Sequence, residues 1–118
     1  MTLNHVHLGT KNLPVFQKFY SQYFGFQKKF ESGETVFLVD SKGFLIAVDQ
    51  VEALPVFPDW YHLGFCLPNE AEVFRIYEAM KRNGENIVRD MKTSKDEFAS
   101  FFVKDPDGNK IEVSWHNE

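Results

Sequence analysis

Apolar positions in this chain follow two rhythms, and the chain runs through both of them twice. Residues 3–10 alternate in polarity and are partly β-branched, which predicts a strand. Phe16, Phe19, Tyr20 and Tyr23 then fall at i, i+3, i+4 and i+7, the spacing of one apolar helix face. Asn12 is placed to cap that helix, Pro14 fits its first turn, and Gly25 marks its end. Three short strands are expected next, around residues 26–30, 35–39 and 44–48. The turn residues Ser32-Gly33-Glu34 and Asp40-Ser41-Lys42-Gly43 separate them.

Displaced by 57 residues, the same order returns. Residues 60–67 predict a strand, and Asn69 a helix cap with Glu72 completing a capping box. Val73, Ile76, Tyr77 and Met80 repeat the apolar stripe, and Gly84 closes the helix. Strands are expected near 86–90, 98–103 and 110–115, the last two joined by Asp105-Pro106-Asp107-Gly108-Asn109. Residues 50–59, with Pro55 and Pro58, read as a linker between module one (1–49) and module two (60–118). The expected fold is therefore α+β, with two βαβββ modules making one domain of 118 residues. The aromatic stripes themselves show core packing, not function.

Composition narrows the partners. Net charge is -4 and no run of Lys or Arg exceeds two, so neither nucleic acid nor an anionic membrane is an expected partner. No apolar stretch approaches the roughly 20 residues that span a bilayer. The first ten residues lack the pattern of a signal peptide. The single cysteine, Cys66, has no internal disulfide partner, and a cytoplasmic location is the expectation. Thirteen phenylalanines can fill a core or line a cavity for a small molecule.

The 57-residue shift superposes His5 on His62 in the first strand of each module. A shift of 65 superposes Gly43 on Gly108 and Val48 on Val113, which sets Ala47 opposite Glu112. Glu112 stands between Ile111 and Val113, whose side chains belong to the other strand face. A carboxylate facing a cavity has to be paired, hydrogen-bonded or metal-bound. Each of the three residues, taken alone, has an ordinary structural explanation. Together, His5, His62 and Glu112 form a set that holds a divalent first-row ion and leaves coordination positions open.

The segments that carry this pattern resemble the vicinal oxygen chelate superfamily. That group includes glyoxalase I, fosfomycin-modifying thiol transferases, extradiol dioxygenases and bleomycin-binding proteins. The resemblance rests on Leu3-Asn4-His5-Val6-His7-Leu8, on Phe19-Tyr20 with Phe24-Gly25-Phe26, and on Trp60-Tyr61-His62. Its most specific part is Asp105-Pro106-Asp107-Gly108-Asn109-Lys110-Ile111-Glu112. It implies two modules forming a curved mixed sheet around a cavity, with His5, His62 and Glu112 as ligands of one zinc, manganese, iron, nickel or cobalt ion. It also implies a homodimer in which module one of one chain pairs with module two of its neighbour.

Departures from the family pattern select among its activities. Glyoxalase I-like enzymes place a fourth carboxylate where this chain has Ala47, so isomerisation of that kind is not expected. Bleomycin-binding relatives lack the ligand set, which is present here. Lys92 and Ser100 fall where the fosfomycin group contacts substrate or a monovalent cation. Phe102 replaces that group's tyrosine, His7 replaces a threonine, and its C-terminal arginine has no counterpart. Dioxygenases share the triad but usually carry four modules. The expected function is a metal-dependent enzyme with transferase-, lyase- or dioxygenase-like chemistry on a small substrate. The alternative is a binding protein that sequesters a small molecule without turnover.

Several further residues have two readings each. His7 shares a strand face with His5 and either moves a proton beside the metal or bonds to backbone. Trp60, Lys92, Ser100 and Phe102 are the expected substrate contacts. Lys92 and Lys95 are expected in a long loop that rims the cavity. Cys66 reads as a small buried hydrophobe, and His116 as a solvated side chain.

Overall fold

The computed structural model describes all residues, 1–118. Its elements run β1 (His5–Thr10), α1 (Leu13–Phe24), β2 (Gln27–Ser32), β3 (Thr35–Val39), β4 (Leu45–Gln50), β5 (Leu63–Cys66), α2 (Glu70–Arg82), β6 (Asn86–Ser94), β7 (Phe98–Lys104) and β8 (Lys110–His116). This is βαβββ twice. Contacts divide the chain into Met1–Val56 and Phe57–Glu118, a boundary inside the segment read as a linker.

Local chemistry sets both helices. Asn12 accepts a hydrogen bond from the Val15 amide at 3.3 Å, Pro14 occupies the first turn, and Gly25 ends α1 at φ 71°. A positive φ is what glycine tolerates and other residues resist. Asn69 accepts from the Glu72 amide at 2.9 Å, while the Glu72 carboxylate takes two bonds from Arg75. Asn69→Ala should lower stability by about 1 kcal/mol in chemical denaturation, because one amide of the first turn loses its acceptor.

In the first unit the sheet order is β1-β4-β3-β2, with β1 parallel to β4 and the other pairs antiparallel. Phe16, Phe19, Tyr20 and Tyr23 of α1 are buried, as are Leu8, Val36, Leu38, Ile46 and Val48 on one sheet face. The rings interlock, Phe16 and Tyr20 at 4.5 Å and Phe19 and Tyr23 at 5.1 Å between centroids. The second unit repeats the order as β5-β8-β7-β6. There Val73, Ile76, Tyr77 and Met80 of α2 are buried with Phe101, Val103, Ile111 and Val113. Each fully buried aliphatic or Phe side chain contributes roughly 1.5–3 kcal/mol, and these residues leave the second face of each sheet to a mixture of rings and polar groups.

Three expectations are corrected. The fifth strand begins at Leu63, so Trp60, Tyr61 and His62 precede it; the Tyr61 amide instead bonds the Pro58 carbonyl at 3.0 Å. Residues 90–94 continue β6, which puts Lys92 on a strand opposite Ser100 and leaves Lys95 in the turn. Cys66 is exposed, because it ends an edge strand on the face that α2 does not cover.

Candidate metal centre

Two aspartate-knotted turns deliver the key strands. Asp105 is 4% exposed, and its Oδ1 accepts from the amides of Asp107 and Asn109, both at 2.9 Å. Asp40 does the same in the first unit, accepting from Lys42 and Phe44 at 2.9 Å. Gly43 and Gly108 take φ 86° and 89° at matching places. This pairing of Gly43 with Gly108 fixes the register between repeats, so Ala47 and Glu112 occupy equivalent sites. Residues opposite them exchange size: His7 pairs with Ala47, and Gly64 pairs with Glu112. A Cβ at Gly64 would meet nothing within 4 Å, so open space lies beside the carboxylate.

Within the second unit, His62 Nε2 lies 3.6 Å from Glu112 Oε1. The His62 Nδ1–H donates to the Trp60 carbonyl at 3.0 Å, which assigns the proton of a neutral ring to Nδ1. In that neutral tautomer Nε2 carries the lone pair on the side of Glu112 Oε1. Two ligand atoms about 2.0–2.2 Å from a tetrahedral ion lie roughly 3.4 Å apart, so this pair fits a shared cation. Glu112 Oε2 is already engaged by the Ser100 hydroxyl at 2.7 Å. No third His, Cys, Asp or Glu completes a cluster of three.

His5 begins β1 in the first unit, is exposed, and donates from Nδ1 to the Asn4 side-chain oxygen at 2.7 Å. In a neutral ring that assignment also leaves the lone pair on Nε2, as in His62. His7 is exposed and bonds Asp49 Oδ2 through Nε2 at 3.0 Å. Asp49 in turn accepts from the Thr35 hydroxyl at 2.5 Å. The Thr35 hydrogen bond, assisted by His7 and opposed by desolvation, holds the Asp49 carboxyl below its ordinary range. Sequence reasoning missed Asp49; its position two residues beyond Ala47 on β4 was the available signal.

Phe102 stands edge-on to His62, 4.9 Å between centroids. Ser100 is 4% exposed, whereas Trp60 is 76% exposed and Lys92 points from an exposed strand position. Arg89, also missed, lies over the Phe102 ring at 4.6 Å, and Lys110 approaches the same ring at 5.9 Å.

A family model of the Glyoxalase/Bleomycin resistance protein/Dioxygenase superfamily matches residues 2–113. The chain belongs to that superfamily. Among solved structures, the fosfomycin resistance protein FosX of Listeria monocytogenes is similar at TM-score 0.84 and 19% identity, covering 99% of this chain and 94% of that one. A possible glyoxalase from Bacillus cereus is similar at TM-score 0.80 and 24% identity, covering 96% and 97%. FosX of Mesorhizobium loti follows at TM-score 0.81 and 18% identity, covering 98% and 92%. At such identities the likeness to these structures is one of fold. No helix is long and apolar enough to cross a membrane.

Proposed function

We propose that this superfamily member is a metal-dependent enzyme in which His5, His62 and Glu112 hold one divalent ion against adjacent oxygens of a small substrate. The observation that carries this reading is the approach of His62 Nε2 to Glu112 Oε1 at 3.6 Å, with the other polar atom of each side chain already bound by protein. A bound ion with open coordination positions would supply Lewis acidity at a substrate oxygen. The donor set of two imidazoles and a carboxylate suits zinc, manganese, iron, nickel or cobalt.

The chain's own residues divide the remaining work. His7 gives its Nε2 proton to the hydrogen bond with Asp49 and keeps Nδ1 for a substrate proton. Phe102 and Trp60 form apolar walls, and Lys92 and the Ser100 side of β7 contact polar substrate groups. Ala47 supplies no base, which favours addition, elimination or oxygenation over glyoxalase I isomerisation. The protein acts in the cytoplasm as a C2 homodimer, with His5 of one protomer completing the site of the other.

Elemental analysis of protein purified without added metal, followed by incubation with diol, epoxide and α-keto substrates, tests the reading. Retained metal with turnover supports it. Retained metal with tight binding but no turnover of any substrate class would favour a sequestering protein. Ala47→Glu offers a further check, since Ala47 lies beside His7 on the strand face of Asp49. The variant should gain a fourth ligand and show a larger metal-induced rise in Tm, while its metal-free form melts lower because position 47 is only 4% exposed.

A further inference from the structure

The two repeats place matching rows of side chains across their open sheet faces. In the first unit the row is Phe30, Phe37, Ala47 and His7; in the second it is Arg89, Phe102, Glu112 and Gly64. A register shift precedes the outer member each time, between Lys28 and Phe30 and between Ile87 and Arg89. Such irregularities re-aim side chains. Phe30 stacks on Phe37 at 4.4 Å, and Arg89 takes the same place over Phe102 at 4.6 Å. A cation thus stands where the other repeat has an aromatic stack, in the one repeat that carries Glu112 at the position of Ala47.

Hydrogen-bond direction then settles what Arg89 does. Arg89 Nη2 donates to Ser100 Oγ at 2.8 Å, and Nη1 donates to the Ser100 carbonyl at 2.9 Å. A guanidinium has donors only, and a hydroxyl has one proton. With Oγ accepting from Arg89, the Ser100 proton goes to Glu112 Oε2 at 2.7 Å. That bond fixes the carboxylate plane and leaves Oε1 facing His62. The first repeat shows the hydroxyl without the cation: Thr35, at the site matching Ser100, donates to Asp49.

We propose that Arg89, acting through Ser100, is the positioning residue that aims Glu112 Oε1 at the metal, a role that rests on the metal reading above. Outer hydrogen-bond partners of metal ligands typically alter affinity 10–100-fold. Arg89→Met keeps an apolar stem over Phe102 and removes the donors. Cobalt(II) titration of the holoenzyme-competent full chain, followed by its visible absorption, should give a 10–100-fold weaker Kd for Arg89→Met, a similar loss for Ser100→Ala, and partial recovery in Arg89→Lys. The double variant should bind no more weakly than Ser100→Ala alone, since both substitutions break one chain of bonds. Additive losses would overturn the relay, because Arg89 would then act by charge alone. Unchanged binding in Arg89→Met, with binding lost in Glu112→Ala, would overturn the relay and leave the metal reading intact. Unchanged binding in Glu112→Ala would overturn both.

Discussion

Protein purified without chelator should carry about one divalent ion per chain, and His62→Ala or Glu112→Ala should remove it. The loss should exceed the 10–100-fold typical of outer partners, because each substitution deletes half of the preformed pair. Neither residue supports the core: His62 precedes β5, and Glu112 faces away from the buried Ile111 and Val113. Circular dichroism and melting of the metal-free variants should therefore match the metal-free wild type closely, apart from the Ser100 hydroxyl left without its acceptor in Glu112→Ala. Glu112→Gln separates charge from shape, since the amide keeps an acceptor for Ser100 but ligates poorly. Full metal occupancy in both alanine variants, read by elemental analysis, would show that the ligand set is wrong.

Much of this architecture is legible in sequence because local chemistry decides it. Asn12, Asn69, Gly25 and the aromatic stripe of α1 act within a few residues of where they stand. Strand edges are less legible, since pairing partners set them from afar. β6 extends to Ser94 because β7 offers it Ser100, Ala99 and Phe98, and nothing in residues 90–94 alone announces that. The 57-residue repeat extends the strand back to His62, but β8 offers a parallel partner only from Ile111 onward, opposite Leu63. Cys66 reads as buried from the usual habit of free cysteines, whereas its exposure depends on which face an edge strand leaves uncovered.

The candidate site divides the same way. His62 and Glu112 emerge from repeat arithmetic, His62 as the counterpart of His5 and Glu112 as the counterpart of Ala47. Arg89 and Asp49 do not, because their significance lies in cross-strand geometry. Arg89 shares a face with Lys92 although the two stand three positions apart, a consequence of the register shift between them. Alternation counted along the sequence places them on opposite faces. Hydroxyl direction is similarly invisible until the donor on the far side of Ser100 is known.

Metal and assembly should prove to be linked. β1 and β5 are edge strands of their sheets, each with one side lacking a strand partner, and such edges invite pairing. His5 stands exposed at the start of one of them. In the proposed C2 dimer, His5 reaches the metal held by His62 and Glu112 of the other protomer, so the ligands of each ion belong to two chains. Whatever binds the dimer better than the monomer must strengthen the dimer. At a hundredfold excess over its Kd an ion that bound the dimer alone would contribute roughly 2.7 kcal/mol, about a hundredfold in the dimer dissociation constant for each shared site, and residual binding by the His62–Glu112 pair of a monomer lowers that figure. Sedimentation equilibrium with saturating metal and with chelator should reveal that difference, and His5→Ala should abolish it while leaving the weaker, metal-free association in place. A monomer that binds metal with undiminished affinity would rule out sharing. A dimer indifferent to both chelation and His5→Ala would confine the ligands of each ion to a single chain.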